Sequence, residues 1–285
     1  MALIPAYRKD NDLLKEIGNA VHDPGQFDIW WLGQSGYLLH WNGKKLLIDP
    51  YLSDSLTQKY AATDKPHVRL SEQVISPELL SDISIISSSH NHTDHLDAAT
   101  LKPLLKNNPE VHFIIPEANR RFVAERTGCL PAFPTGLNDG QSFEHAGFTF
   151  HGMPAKHNEV ERDAHGHCRY MGYVITFGPF AVYHSGDSLW MDELPALLQP
   201  YHLDLALLPI NGNKPERRVA GNLDPAEAAA LAKMAGAACV IPCHYDMFAF
   251  NTADPADFEK ACRVLKQPYK VLRHGECYSL KKSLE

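Results

Sequence analysis

Within six residues, His90, His92, Asp94 and His95 offer three imidazoles and a carboxylate, ligand types that suit zinc, manganese or iron. In an extended segment residues 90, 92 and 94 face one way, so the adjacent Asp94 and His95 cannot both join them and the segment must bend. A bend lets His90 and His92 address one ion while Asp94 and His95 address a second. The competing reading is a solvated histidine-rich loop. Further along, Asp187 follows Gly186, whose freedom allows the sharp turn that presents a carboxylate between two cations; its alternative is to cap a helix from Leu189 onward. His244 ends the run Pro242-Cys243-His244, where a half-buried packing histidine is the bland reading. A third imidazole for the first ion comes from His157 or from the pair His165 and His167, which otherwise line the mouth of the site or sit in solvent. Arg217 and Arg218, in a loop with Asn211, Asn213 and Lys214, present forked donors able to clamp a phosphate, or else form a solvated charged loop.

Such residues need rigid elements behind them. Leu13 to Val21 reads as an amphipathic helix. Phe27 to Leu32, Gly36 to Trp41 and Lys45 to Ile48 read as strands, the last two joined at Asn42-Gly43 and the third ending at Asp49-Pro50. Ile83 to Ser87 is a β-branched run that delivers the chain into the histidine cluster, and Ala98 to Leu105 is helical. Val111 to Ile115 is a strand, Glu117 to Arg126 a helix, and Ser142 to Gly152 a hairpin that hands the chain to His157. Tyr173 to Phe177 and Phe180 to Tyr183 flank a Gly178-Pro179 turn and lead to His184, a structural or ligand-supporting residue. Leu203 to Leu208 and Ala238 to Ile241 are strands, and Asp224-Pro225 opens a helix through Met234. Hairpins in both halves, each closed by helices and strands, predict a mixed sandwich of sheets with helices outside. Residues 1–26 form a helical extension and 27–285 one domain.

Composition narrows the partners. With 27 Lys+Arg against 34 Asp+Glu the chain carries −7, which disfavours nucleic acid. No run of 18 apolar residues occurs and the first thirty residues are charged, so no membrane span and a cytoplasmic location are expected. Six scattered cysteines without a CxxC pair read as structural thiols of a reducing compartment. The 16 histidines equal phenylalanine and tryptophan together, a surplus that suits metal chemistry.

The pattern H-x-H-x-D-H after an apolar strand, with Asp49 upstream, resembles the metallo-β-lactamase fold superfamily. The resemblance implies an α+β, four-layer αββα sandwich of two mixed sheets flanked by helices. It also implies that His90, His92 and His157 hold one ion, that Asp94, His95 and His244 hold a second, that Asp187 bridges them, and that Asp49 braces the ligand loop. Trp30-Trp31-Leu32-Gly33, Tyr183 to Ser188, Leu203 to Leu207 and Val240 to Asp246 are similar to the L-ascorbate-6-phosphate lactonase group. That likeness implies a cytoplasmic hydrolase with two divalent ions, zinc or manganese with iron left open, a small anionic substrate, and assembly into a homo-oligomer. Asp94 or Asp187 would then orient the attacking water and pass on its proton. Pro154-Ala155-Lys156-His157-Asn158 and Pro215-Glu216-Arg217 look more like phosphodiesterases of the N-acyl-phosphatidylethanolamine phospholipase D type. A diiron oxidoreductase of this fold would carry glutamate at His92; the non-enzymatic alternatives are a metal-binding relative and a scaffold that has lost the metal, whose mark would be missing ligands, of which none is missing.

Overall fold

The computed structural model describes residues 2–283. Most strands are buried along nearly their whole length rather than at alternate positions, because each sheet is covered on both faces. β1 (Gln26–Gly33), β2 (Gly36–Trp41) and β3 (Lys44–Ile48) run antiparallel in turn, the second turn being Asn42-Gly43 with φ of 45° and 77°. Those positive angles define the hairpin turn whose twist matches its strands. The chain then crosses to β4 (Ile83–Ser87), β5 (His112–Pro116) and β6 (Thr135–Leu137), all parallel to β3. The second half begins with antiparallel β7 (Ser142–His145), β8 (Phe148–Pro154), β9 (Met171–Phe177) and β10 (Phe180–His184). It continues with β11 (Leu205–Pro209) and β12 (Cys239–Cys243), parallel to β10. A last strand, β13 (Cys277–Lys281), returns to pair antiparallel with β1. The result is a seven-stranded sheet, β13-β1-β2-β3-β4-β5-β6, on a six-stranded one, β12-β11-β10-β9-β8-β7.

The pleat sorts side chains between layers. Phe27, Ile29 and Trp31 of β1 point into the space between the sheets, where they meet Tyr173, Phe177 and Phe180. Trp30, Leu32 and Leu38 point outward. There they pack with Leu13 and Ile17 of α1 (Asp10–Gly18), Leu101 and Leu104 of α3 (Ala98–Asn107) and Val123 of α4 (Arg120–Thr127). A short α2 (Ser55–Tyr60) lies between β3 and β4 in sequence. On the far side α5 (Leu194–Leu198), α6 (Pro225–Met234) and α7 (Pro255–Leu265) cover the second sheet. This is the αββα sandwich expected above. Asp224 caps α6 in a complete capping box with Glu227, as its Asp-Pro signature requires. All six cysteines are free, and no helix among the described residues is long and apolar enough to cross a membrane.

Candidate metal centre

Since β2 and β9 each reverse the chain once, β1, β3 and β4 run parallel within one sheet and β8, β10 and β12 within the other. The loops leaving their C-terminal ends carry Gln34, Asp49, residues 88–96, His157, Asp187 and His244. Two tight features let these loops meet. Gly186, at φ 58°, lies so close to Ser89 that an added Cβ would stand 2.6 Å from the Ser89 Cβ, which only glycine avoids. Gln34, Asp49 and His244 are non-glycine residues in the left-handed region, at φ 51°, 42° and 67°, strain of about 1 kcal/mol or more each.

The donor atoms form two sets. In one, His90, His92 and His157 each offer an atom within 4.8 Å of the others; in the second, Asp94, His95, Asp187 and His244 do the same. Asp187 joins them: its Oδ1 lies 3.1 Å from His244 Nε2 and 3.3 Å from His95 Nε2, while Oδ2 lies 3.8 Å from His157 Nε2. Asp187 caps no helix, since α5 begins only at Leu194.

Hydrogen bonds fix which nitrogens face inward. His95 Nδ1 donates to Asp49 Oδ2 at 2.6 Å, and Asp49 also accepts from the Ser89 amide at 2.7 Å, so the residue expected as a brace ties the ligand loop to the end of β3. His157 Nδ1 donates to the Gly221 carbonyl at 2.8 Å, leaving Nε2 a bare lone pair 3.2 Å from His92 Nδ1. His184 spans the Ser35 carbonyl and the Gly186 amide and so shapes the turn before Asp187.

These groups fit a metal. Among the described residues His90 Nε2, His95 Nε2 and Asp187 Oδ1 are buried with no hydrogen-bond partner, although two of them lie 3.3 Å apart. Burial without a partner costs about 1–3 kcal/mol per polar group unless a cation supplies the missing interaction. The lone pairs of the first set are available: burial pushes His92 down to about 4 and moves His90 and His157 in the same direction, so all three are neutral at pH 7. Burial pushes Asp187 up, but the imidazoles of His244 and His95 outweigh it and hold the carboxyl well below its usual range. Burial also raises Asp94, and His95 and His244 reverse that shift too.

A cavity of about 460 Å³ opens onto His92, Asp94, His157, Asp187 and His244. Of the residues expected to touch substrate, only Arg218 lines it, and Arg218 is paired with Asp64. Arg217 points elsewhere: Nη1 donates to the Asn211 carbonyl and to Asn251 Oδ1 at 2.9 Å, and Nη2 to the Thr252 carbonyl at 3.0 Å. With its donors spent on the protein it is a loop clamp rather than a phosphate clamp. His165 and His167 belong to a turn held by Asp163 through their backbone amides, each at 2.9 Å, and neither they nor the exposed Asn213 line the cavity. Two contributors lie outside the residues singled out from sequence. Gln34 Nε2 donates to Asp94 Oδ2 at 3.0 Å and stands 3.1 Å from His244 Nδ1; its signal is a polar residue between Gly33 and Gly36 at a strand end. Arg126 pins the ligand loop through the Asn91 carbonyl at 2.7 Å.

Residues 44–245 match the model of the beta-lactamase superfamily domain. The chain belongs to the beta-lactamase superfamily. Within it the protein is a metal-dependent hydrolase similar to the UPF0173 metal-dependent hydrolases. It is 31% identical to that of Methanoregula boonei over 82% of this chain and 88% of the relative. To that of Aeropyrum pernix it is 26% identical over 88% and 96%. The superfamily fold recurs in an isothiocyanate hydrolase from Delia radicum gut bacteria, with a TM-score of 0.70, 18% identity, and 90% of this chain and 100% of that one covered.

Proposed function

We propose that the protein hydrolyses a small phosphorylated lactone in the cytoplasm, with two divalent ions, zinc or manganese, held by His90, His92 and His157 and by Asp94, His95 and His244, with Asp187 between them. The observation that carries this reading is the convergence of buried, unpartnered lone pairs from His90, His95 and Asp187, behind a cavity that Asp187 itself lines. Bound there, the ions would supply an acidified water and positive charge opposite a developing oxyanion. The chain's own part is positional. Asp49 and Gly221 hold the imidazoles of His95 and His157 in the orientation that frees Nε2. Asp94 is the carboxylate placed to take the proton of the water and return it to the leaving oxygen: it lines the cavity, and Gln34 holds its Oδ2 still. Six free cysteines support a reducing compartment.

Purified, metal-reconstituted protein is assayed against a sugar-phosphate lactone and against bis-p-nitrophenyl phosphate, with His92→Ala in parallel. Lactone opening in the wild type, together with lost turnover and reduced bound metal in His92→Ala, is the expected result. Faster cleavage of the diester would move the reading to a phosphodiesterase. Full metal content and activity in His92→Ala would sink the site assignment.

A further inference from the structure

We propose that the substrate carries an anionic group remote from the scissile bond, and that Arg126 and Lys59, assisted by Lys65, hold it; this rests on the hydrolytic reading above. Among the described residues the cavity is lined by four cations, Lys59, Lys65, Arg126 and Arg218, and by two carboxylates, Asp94 and Asp187, both in the candidate metal set. That local excess of positive charge stands in a chain of net charge −7, so it is not a reflection of the average surface. Arg218 is neutralised by Asp64. Among the described residues the other three cations form no ion pair, and what they do touch leaves their charge in place.

Arg126 is half-buried. Its Nη1 donates to the carbonyls of Asn91 at 2.7 Å and Leu96 at 3.2 Å, and its guanidinium lies 4.3 Å from the Phe122 ring centroid. Among the described residues Nη2 and Nε have no hydrogen-bond acceptor, so an edge suited to two oxygens of one phosphate or carboxylate is left free. The adjacent acid, Glu125, pairs with Arg121, and Asp97, whose charge reaches Arg126, is consumed by Ser53, Ser55 and Thr100. Lys59, at the end of α2, reaches the same ligand loop from another side, with Nζ 3.3 Å from Thr93 Oγ1. Lys65 Nζ rests on the Arg218 carbonyl. Two cations are thus fastened to the loop that bears His90 to His95, at a set distance from the chemistry, where a charged arm of the substrate orients its reacting carbonyl or phosphorus.

The test uses metal-loaded protein and two esters that differ by one carboxylate, p-nitrophenyl butyrate and mono-p-nitrophenyl glutarate. The wild type should prefer the charged ester by about tenfold or more in kcat/KM, a preference that shrinks at high salt. Lys59→Gln combined with Lys65→Gln, the first at an exposed and the second at a half-buried position, should remove most of it through the KM of the charged ester. Arg126→Lys, which keeps the charge but loses the fork, should remove part. Calorimetric titration with inorganic phosphate gives a readout independent of turnover, and the double variant should bind about tenfold more weakly than the wild type. Equal use of both esters by the wild type, or phosphate affinity unchanged in the double variant, overturns the proposal. If neither ester is cleaved while metal is bound, the hydrolytic reading is at fault and the phosphate titration alone decides the anion site.

Discussion

Gln34 and His244, 210 positions apart, hold each other twice: the His244 amide donates to the Gln34 carbonyl at 3.1 Å, and the Gln34 side-chain amide stands 3.1 Å from His244 Nδ1. The Gln34 side-chain amide donates to Asp94 Oδ2 while its backbone carbonyl anchors His244, so one neutral residue orients two of the four donors in the second set. Gln34→Ala should therefore weaken binding at one site by about 10–100-fold and leave the three-histidine site near its wild-type affinity. Chelator competition that resolves two binding steps reads this directly; equal weakening of both steps would contradict the division.

Asp49 supports the same loop through charge. Its carboxylate accepts from the Ser89 amide and hydroxyl and from His95 Nδ1, all fully buried. Asp49→Ala should cost about 3 kcal/mol or more of stability, because three donors lose their acceptor. Asp49→Asn preserves shape but offers one acceptor oxygen in place of two, so metal affinity should fall while the melting temperature drops less than in the alanine variant. Thermal melts paired with bound-metal analysis distinguish the two effects.

His274 predicts an acid limb that does not involve the metal. Burial pushes its imidazole down to about 3, with the Arg69 guanidinium adding to the shift. The unfolded chain takes up this proton near pH 6.5, which the fold refuses until about pH 3. Stability from His274 is thus complete above about 6.5 and is lost progressively as pH falls toward 3, by up to about 4 kcal/mol. His274→Leu should flatten the urea-derived stability profile across that window, and an unchanged slope would refute the assignment.

Arg217 separates a loop clamp from a substrate clamp. Because its guanidinium bonds Asn211, Asn251 and Thr252, Arg217→Ala should lower stability by about 1–3 kcal/mol and leave the preference for a charged ester intact. Loss of that preference without loss of stability would reverse the two roles.

The elements that carry the candidate donors were legible because each combines an apolar run with a turn residue: Ile83 to Ser87 coincides with β4, and Phe180 to Tyr183 falls within β10. Choosing among His157, His165 and His167 needed the third dimension, since only the Gly221 carbonyl and the facing His92 distinguish the first. Gln34 left little trace because a carboxamide carries no charge and forms no ligand pattern. Arg126 lies on a helix remote in sequence from the loop it pins. β13 is short and mostly half-exposed, so its sequence lacks the alternation that marks a strand. α7 has the same Asp-Pro opening as α6 but buries only Phe258 and Cys262 deeply.

The pairing of β13 with β1 bears on the order in which the molecule can be made. Ser279 meets Asp28 across 251 positions, so β1 leaves the ribosome with one flank bare and keeps it bare while the whole second sheet is synthesised. Contacts of such separation close slowly and leave an edge open to other chains in the meantime. A chain arrested just after His244 would already own every candidate donor, yet would still lack the strand that shuts the first sheet.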